Sequence, residues 1–182
     1  MLRHVILLAL LATPVITWAN EPEEVLDRYF KILTSENTDK IASIMDADSM
    51  ASLKVMMDNA IRYQANHGNY ELQRRIFGKK VSLDKVENTS ADFYLNQLAN
   101  SILDAANSQN FRIESRKVLG RIQEGDKIAH IVARLSMQQN SESTSDIFVY
   151  TLVKEGDSWK LTFPPTIRQV LTVIDAQAKQ LR

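Results

Sequence analysis

The fold is decided by residues 127–138, KIAHIVARLSMQ, and residues 145–163, SDIFVYTLVKEGDSWKLTF. In both stretches apolar side chains recur at every second position, which is the period of a β-strand. One turn that contains Gly precedes the first stretch at residues 124–126, and another divides the second stretch at residues 155–157, as expected between hairpin strands. We therefore predict strands at 111–123, 127–138, 145–154 and 158–163 in one antiparallel sheet.

Hydrophobic matching predicts how these strands pair. A two-residue loop at 155–156 would pair Leu152 with Trp159, and the preceding hairpin would pair Leu135 with Phe148. The pairing gives the sheet one strongly aromatic face: Phe148, Tyr150, Trp159, Leu161 and Phe163. The opposite face is too apolar to lie bare in water. We expect the C-terminal helix or a second subunit to cover it.

Before residue 111 the apolar positions recur with the helical period of 3.6. This pattern predicts helices from Pro22 to about residue 33, around 41–45, from about 53 to 66 and at 70–77. A further helix should follow a capping box that begins at Thr89, and a last one should follow residue 165. The predicted fold class is α+β, with N-terminal helices packed on a curved antiparallel sheet of about four strands and a C-terminal helix.

Residues 1–19 have the layout of a secretory signal peptide. Arg3 precedes an apolar run at 5–16, and Thr17 and Ala19 are small residues before a cleavage point after Ala19. The apolar run is about a dozen residues long, below the roughly 20 needed to span a bilayer. We expect a periplasmic or secreted protein that is not an integral membrane protein after cleavage, with one domain over residues 20–182.

The composition argues against several functions. Lys plus Arg and Asp plus Glu both number 22, so the net charge is zero, whereas a nucleic-acid-binding protein needs a concentrated basic surface. The chain has no Cys, which removes thiol chemistry and Cys-based metal sites. His67 and His130 are the histidines of the predicted mature chain and lie far apart in sequence. We therefore expect no metal, no cofactor and no nucleic-acid partner.

The layout resembles exported members of the nuclear transport factor 2-like superfamily. The last hairpin, VKEGDSWKL at 153–161, contains a Gly followed in order by polar residues, Trp, Lys and an apolar residue, which is similar to that family's ending. The helix and the break at 23–46 are similar to the family's start. The resemblance implies a cystatin-like α+β cone whose helices line a strongly bent sheet, with a helical insertion at about 66–110. This fold hosts isomerases and dehydratases as well as noncatalytic accessory domains.

Three functional hypotheses follow. The first is a noncatalytic exported domain that binds a small apolar ligand or a protein partner, with the aromatic face as the binding wall. The second is an isomerase or hydrolase, which the resemblance implies, with Asp146 as base and Tyr150 as donor about 13 Å apart along the strand. The third is a dimerising interaction module whose interface is the opposite sheet face: Ile128, His130, Val132, Arg134, Val149 and Val153.

Overall fold

The computed structural model describes residues 21–35 and 38–180, with the backbone alone at 165, 166, 175 and 177–180. It confirms the predicted α+β class, because helices precede a four-stranded antiparallel sheet and a further helix follows it. The predicted signal peptide lies outside the described residues. Each described helix is too short or too polar to cross a membrane.

Within these residues the chain forms α1 (Pro22–Thr34), α2 (Ala47–Asn66), α3 (Glu71–Phe77), α4 (Leu83–Glu87), α5 (Ala91–Ser108) and α6 (Pro165–Gln180). Two short 3-10 turns, Thr38–Lys40 and Ala42–Ile44, connect α1 to α2. The five-residue α4 is too short to show a period that would predict it. The predicted cap of α5 is wrong by one residue. Ser90 accepts a hydrogen bond from the backbone N–H of Phe93, whereas Thr89 donates to the Lys85 carbonyl.

The strands are β1 (Phe111–Glu124), β2 (Ile128–Gln139), β3 (Glu142–Glu155) and β4 (Ser158–Leu161), paired in that order. The observed register differs by two residues from the predicted one. Leu152 pairs with Leu161 rather than Trp159, and Leu135 pairs with Asp146 rather than Phe148. A shift of two leaves every side chain on its predicted face, because the strand period is also two.

The turns explain the difference in register. The β3–β4 loop begins at Gly156 with a φ of 59°, and the β2–β3 loop begins at Asn140 with a φ of 54°. Both residue types tolerate this left-handed backbone, so each strand continues almost to the turn. The β2–β3 connection is therefore two residues long, not the longer segment implied by a strand start at residue 145.

The inner face of the sheet packs against the helices. Ala129 and Ile131 of β2, Leu152 of β3 and Leu161 of β4 are all 0% exposed. They share one core with buried side chains of the helices: Val25, Leu26, Tyr29, Phe30, Leu53, Met57, Ile61, Leu95, Leu98, Ile167 and Leu171. Residues 66–110, which we expected to form an insertion, contribute α3, α4 and α5 to this same core.

The opposite side of the sheet, which we call the outer face, is left open by the described elements. Ile122 is 59% exposed, Ile147 55% and Val149 49%. The helix α6 does not cover them, because it packs on α2 and buries Ile167 in the core. The outer face consists of five rows read across β1, β2 and β3: Ser115–Ser136–Ser145, Lys117–Arg134–Ile147, Gly120–Val132–Val149, Ile122–His130–Thr151 and Glu124–Ile128–Val153.

Candidate ligand-binding cavity

The five side chains predicted to form a binding wall lie on or beside the inner face. The Tyr150 ring packs edge-on against Phe30, with ring centroids 5.6 Å apart, and lies 6.2 Å from the ring of Tyr29. None of the five lines either cavity described below, so their role in ligand binding stays a prediction. Phe148 is half-buried, and the other four are buried core residues: Tyr150, Trp159, Leu161 and Phe163.

The structure places Asp146 and Tyr150, the predicted catalytic residues, in different surroundings. Asp146 is exposed at a position that pairs with Leu135. Tyr150 is 4% exposed, and burial raises its pKa to about 12. An acid–base site in an apolar pocket relies on a desolvated carboxylate, whereas Asp146 is exposed, so the catalytic role of this pair stays a prediction. Among the described residues, no group of three or more His, Asp or Glu side chains is placed to hold a metal ion.

A cavity of about 330 Å³ lies between α1, α5 and the start of β1. We call it the α1–α5 cavity. Its volume and its mainly apolar wall are typical of sites for small molecules. The apolar wall residues are Leu33, Ile41, Ala99, Ile102, Leu103, Ala106, Phe111, Ile113 and Ile167.

The sequence of α5 explains why space remains at this place. Ala99, Ile102, Leu103 and Ala106 follow the spacing i, i+3, i+4, i+7, so they lie on one side of the helix. Two of the four are alanines, which fill little of the distance to α1. From β1, Phe111 and Ile113 face the same space, because alternate residues of a strand share a face.

Tyr29 is the polar group of the cavity that has no partner. It is 4% exposed, it lines the cavity, and its hydroxyl makes no hydrogen bond with any described residue. Burial raises its pKa, with a smaller effect of the nearby Tyr150, so the hydroxyl stays neutral. Buried hydroxyls are usually hydrogen-bonded. The Tyr29 hydroxyl is not among the fully buried polar atoms without a partner, so water or a ligand can reach it.

The other polar groups of the wall are already engaged or lie near its edge. Thr34 donates to the Phe30 carbonyl over 2.9 Å, and Arg112 donates through Nε to Gln138 Oε1 over 2.7 Å. Asn107, near the end of α5, is exposed. Among the described residues, the wall holds no carboxylate and no histidine, which are the groups that most often transfer protons in enzymes.

A second, more open space lies on the other side of α5. We call this space, of about 660 Å³, the α5–α6 groove; Leu72 of α3, Leu98 and Ala105 of α5, and Val173 of α6 contribute to its wall. Ile102 lines both spaces, so the C-terminal half of α5 separates them. Val173 is 51% exposed at the groove, whereas Tyr29 is enclosed. We therefore regard the α1–α5 cavity as the better formed ligand site.

Comparison with known proteins finds no match among family models, curated proteins or solved structures. The resemblance to the nuclear transport factor 2-like superfamily therefore stays a prediction.

Proposed function

We propose that this chain is a noncatalytic binding domain that takes a small apolar ligand into the α1–α5 cavity. The observation that carries the proposal is a mainly apolar space of about 330 Å³ lined by Tyr29, whose hydroxyl has no hydrogen-bond partner among the described residues. The ligand would have an apolar body and one oxygen that pairs with this hydroxyl. The described part of the wall offers neither a carboxylate nor a histidine, which favours binding over acid–base catalysis.

The expected affinity follows from the size of the ligand. At about 0.8 kcal/mol per buried CH₂ group, an eight-carbon chain gains roughly 6 kcal/mol before the cost of association. A hydrogen bond to Tyr29 adds about 0.5–1.5 kcal/mol. Octan-1-ol is therefore a suitable probe, with its tail against the apolar wall and its hydroxyl at Tyr29.

Two neighbouring alanines of α5 test which space binds the probe. Ala106 lines the α1–α5 cavity, and Ala105 lines the α5–α6 groove. Calorimetric titration with octan-1-ol is expected to show binding to the wild type. Ala106→Leu should weaken this binding at least tenfold because leucine fills the cavity, whereas the matched Ala105→Leu should leave it unchanged. The proposal fails if octan-1-ol does not bind, or if Ala105→Leu alone abolishes binding.

Export to the periplasm is part of the proposal and rests on the sequence of residues 1–19. Cleavage after Ala19 would leave Asn20 as the first residue. The intact mass of the protein recovered from the periplasmic fraction of an expressing bacterium tests this expectation. A chain that keeps residues 1–19 and stays with the cytoplasmic fraction would contradict it.

A further inference from the structure

The outer face combines exposed apolar side chains with charges at its two ends. Toward one end, in the row next to Ser115, Lys117 and Arg134 occupy directly paired positions on β1 and β2. Neither side chain forms an ion pair with a described residue, and like charges directly opposite one another destabilise a sheet. At the other end, the carboxylate of Glu124 is 62% exposed and lies 3.3 Å from Nε2 of His130.

At the centre of the outer face, a position without a side chain lies beside a projecting one. Gly120 pairs with Val132, and a Cβ atom built on Gly120 would meet no atom within 4 Å. Two residues further along β1, Ile122 projects from the same face and is 59% exposed. A surface that carries both an open position and a projecting apolar side chain can pack on a copy of itself.

We infer that the outer face binds the outer face of a second copy of this chain. The two-fold axis runs across the strands, between the row of Gly120 and the row of Ile122. This rotation reverses the order of the rows, so Ile122 seats over the partner's Gly120 and the reciprocal contact forms as well. The same rotation brings Lys117 and Arg134 to the partner's Glu124, which relieves the repulsion between the two cations.

The dimensions agree with a modest interface. Five rows span about 27 Å along the strands and three strands span about 14 Å across them, which gives roughly 400 Å² per copy. The total of about 800 Å² for two copies is below the roughly 1,000 Å² expected of a stable interface, so we expect a weak dimer that dissociates on dilution. Two twisted sheets pack with their strands within about 30° of each other, and a two-fold axis tilted slightly from the perpendicular to the strands produces that angle.

Light scattering over a concentration series measures the association directly. The wild type should change from monomer to dimer mass as the concentration rises. Ile122→Lys should raise the dissociation constant at least tenfold, and the matched Val55→Lys should not, since Val55 is 60% exposed on α2, away from the sheet. Gly120→Val should remain folded by circular dichroism, because nothing fills the space around it, and yet be monomeric.

A charge swap tests the axis itself. Lys117→Glu and Glu124→Lys should each weaken the dimer about tenfold, and the double variant should recover most of the loss, because the two side chains meet across the interface. A wild type that stays monomeric at every concentration overturns the inference, as does an Ile122→Lys variant that still dimerises. A double variant no better than the single ones overturns the proposed axis and with it the inference.

Discussion

Replacing Tyr94 with Phe is expected to destabilise the fold by about 1.5–3 kcal/mol, the cost of losing a hydrogen bond to a charged group. Tyr94 is 0% exposed, and its hydroxyl donates to Asp58 Oδ1 over 2.8 Å. The other oxygen of Asp58 lies 2.6 Å from Lys54 Nζ, which also donates to the Glu87 carbonyl. These contacts join α2, α4 and α5, so the substitution weakens the link between three helices.

Tyr63→Phe is the matched control. The hydroxyl of Tyr63 is buried and has no hydrogen-bond partner among the described residues. Its removal leaves no acceptor unsatisfied and ends the desolvation cost of the hydroxyl, so we expect the same or up to about 1 kcal/mol higher stability. The ring contact with His67, at 4.3 Å between centroids, is retained by Phe.

Urea unfolding followed by circular dichroism, at a concentration where the protein is monomeric, measures both effects. Tyr94→Phe should lower the midpoint without changing the slope, and a loss of this size corresponds to roughly 3–12 °C in Tm for a domain of this length. Equal losses in the two variants, or a larger loss in Tyr63→Phe, would refute the reasoning from hydrogen-bond satisfaction.

Two further outcomes follow from burial. Leu152→Ala should lower the free energy of unfolding by about 2.7–5 kcal/mol, because it opens a cavity in the core. Ile147→Ala, five residues away on the outer face, should lower it by less than about 0.5 kcal/mol. Thermal unfolding of the monomer measures both losses, and similar losses would contradict the assignment of the faces. Burial raises the pKa of Tyr29, Tyr94 and Tyr150, so above about pH 10 the unfolded chain binds fewer protons than the native one. This contribution to stability should therefore be fully present below about pH 10 and be lost as the pH rises through the folded-state pKa values. The loss should be less steep in Tyr150→Phe than in the wild type. Urea midpoints of the two proteins that run parallel at pH 9, 10 and 11 would contradict this.

The turn and cap errors have a local cause. The predicted register placed the β3–β4 loop one residue too early because hydrophobic matching alone cannot distinguish registers that differ by two. The left-handed backbone at Gly156 and Asn140 fixes which residues form each turn and so selects one of the two registers. This backbone conformation is a property of the folded turn. In the same way, Thr89 and Ser90 are both good caps, and the packing of α5 decided between them.

The α1–α5 cavity could not be located from the sequence. Its wall combines α1, α5, β1 and α6, which are separated along the chain, and which sides of these elements meet is a property of the packed core. A partial signal is present in α5, where Ala99 and Ala106 interrupt a face of larger apolar residues. Alanines on a helix face are compatible both with close packing against α1 and with a cavity beside it. Only the distance between α5 and α1 in the folded protein distinguishes these two possibilities.

Alternation of side chains from Phe111 onward, and the helical period before it, determined the α+β class and the division of the sheet into two faces, because one buried face imposes the period of its element on the sequence. The tertiary structure decided what covers each face. It placed α6 beside α2 rather than on the outer face and left Ile122, Ile147 and Val149 exposed. A periodic pattern shows only that a helix or strand has an apolar side to bury. Which apolar sides pack against each other depends on how all the elements fit around one core, and this is a property of the tertiary structure.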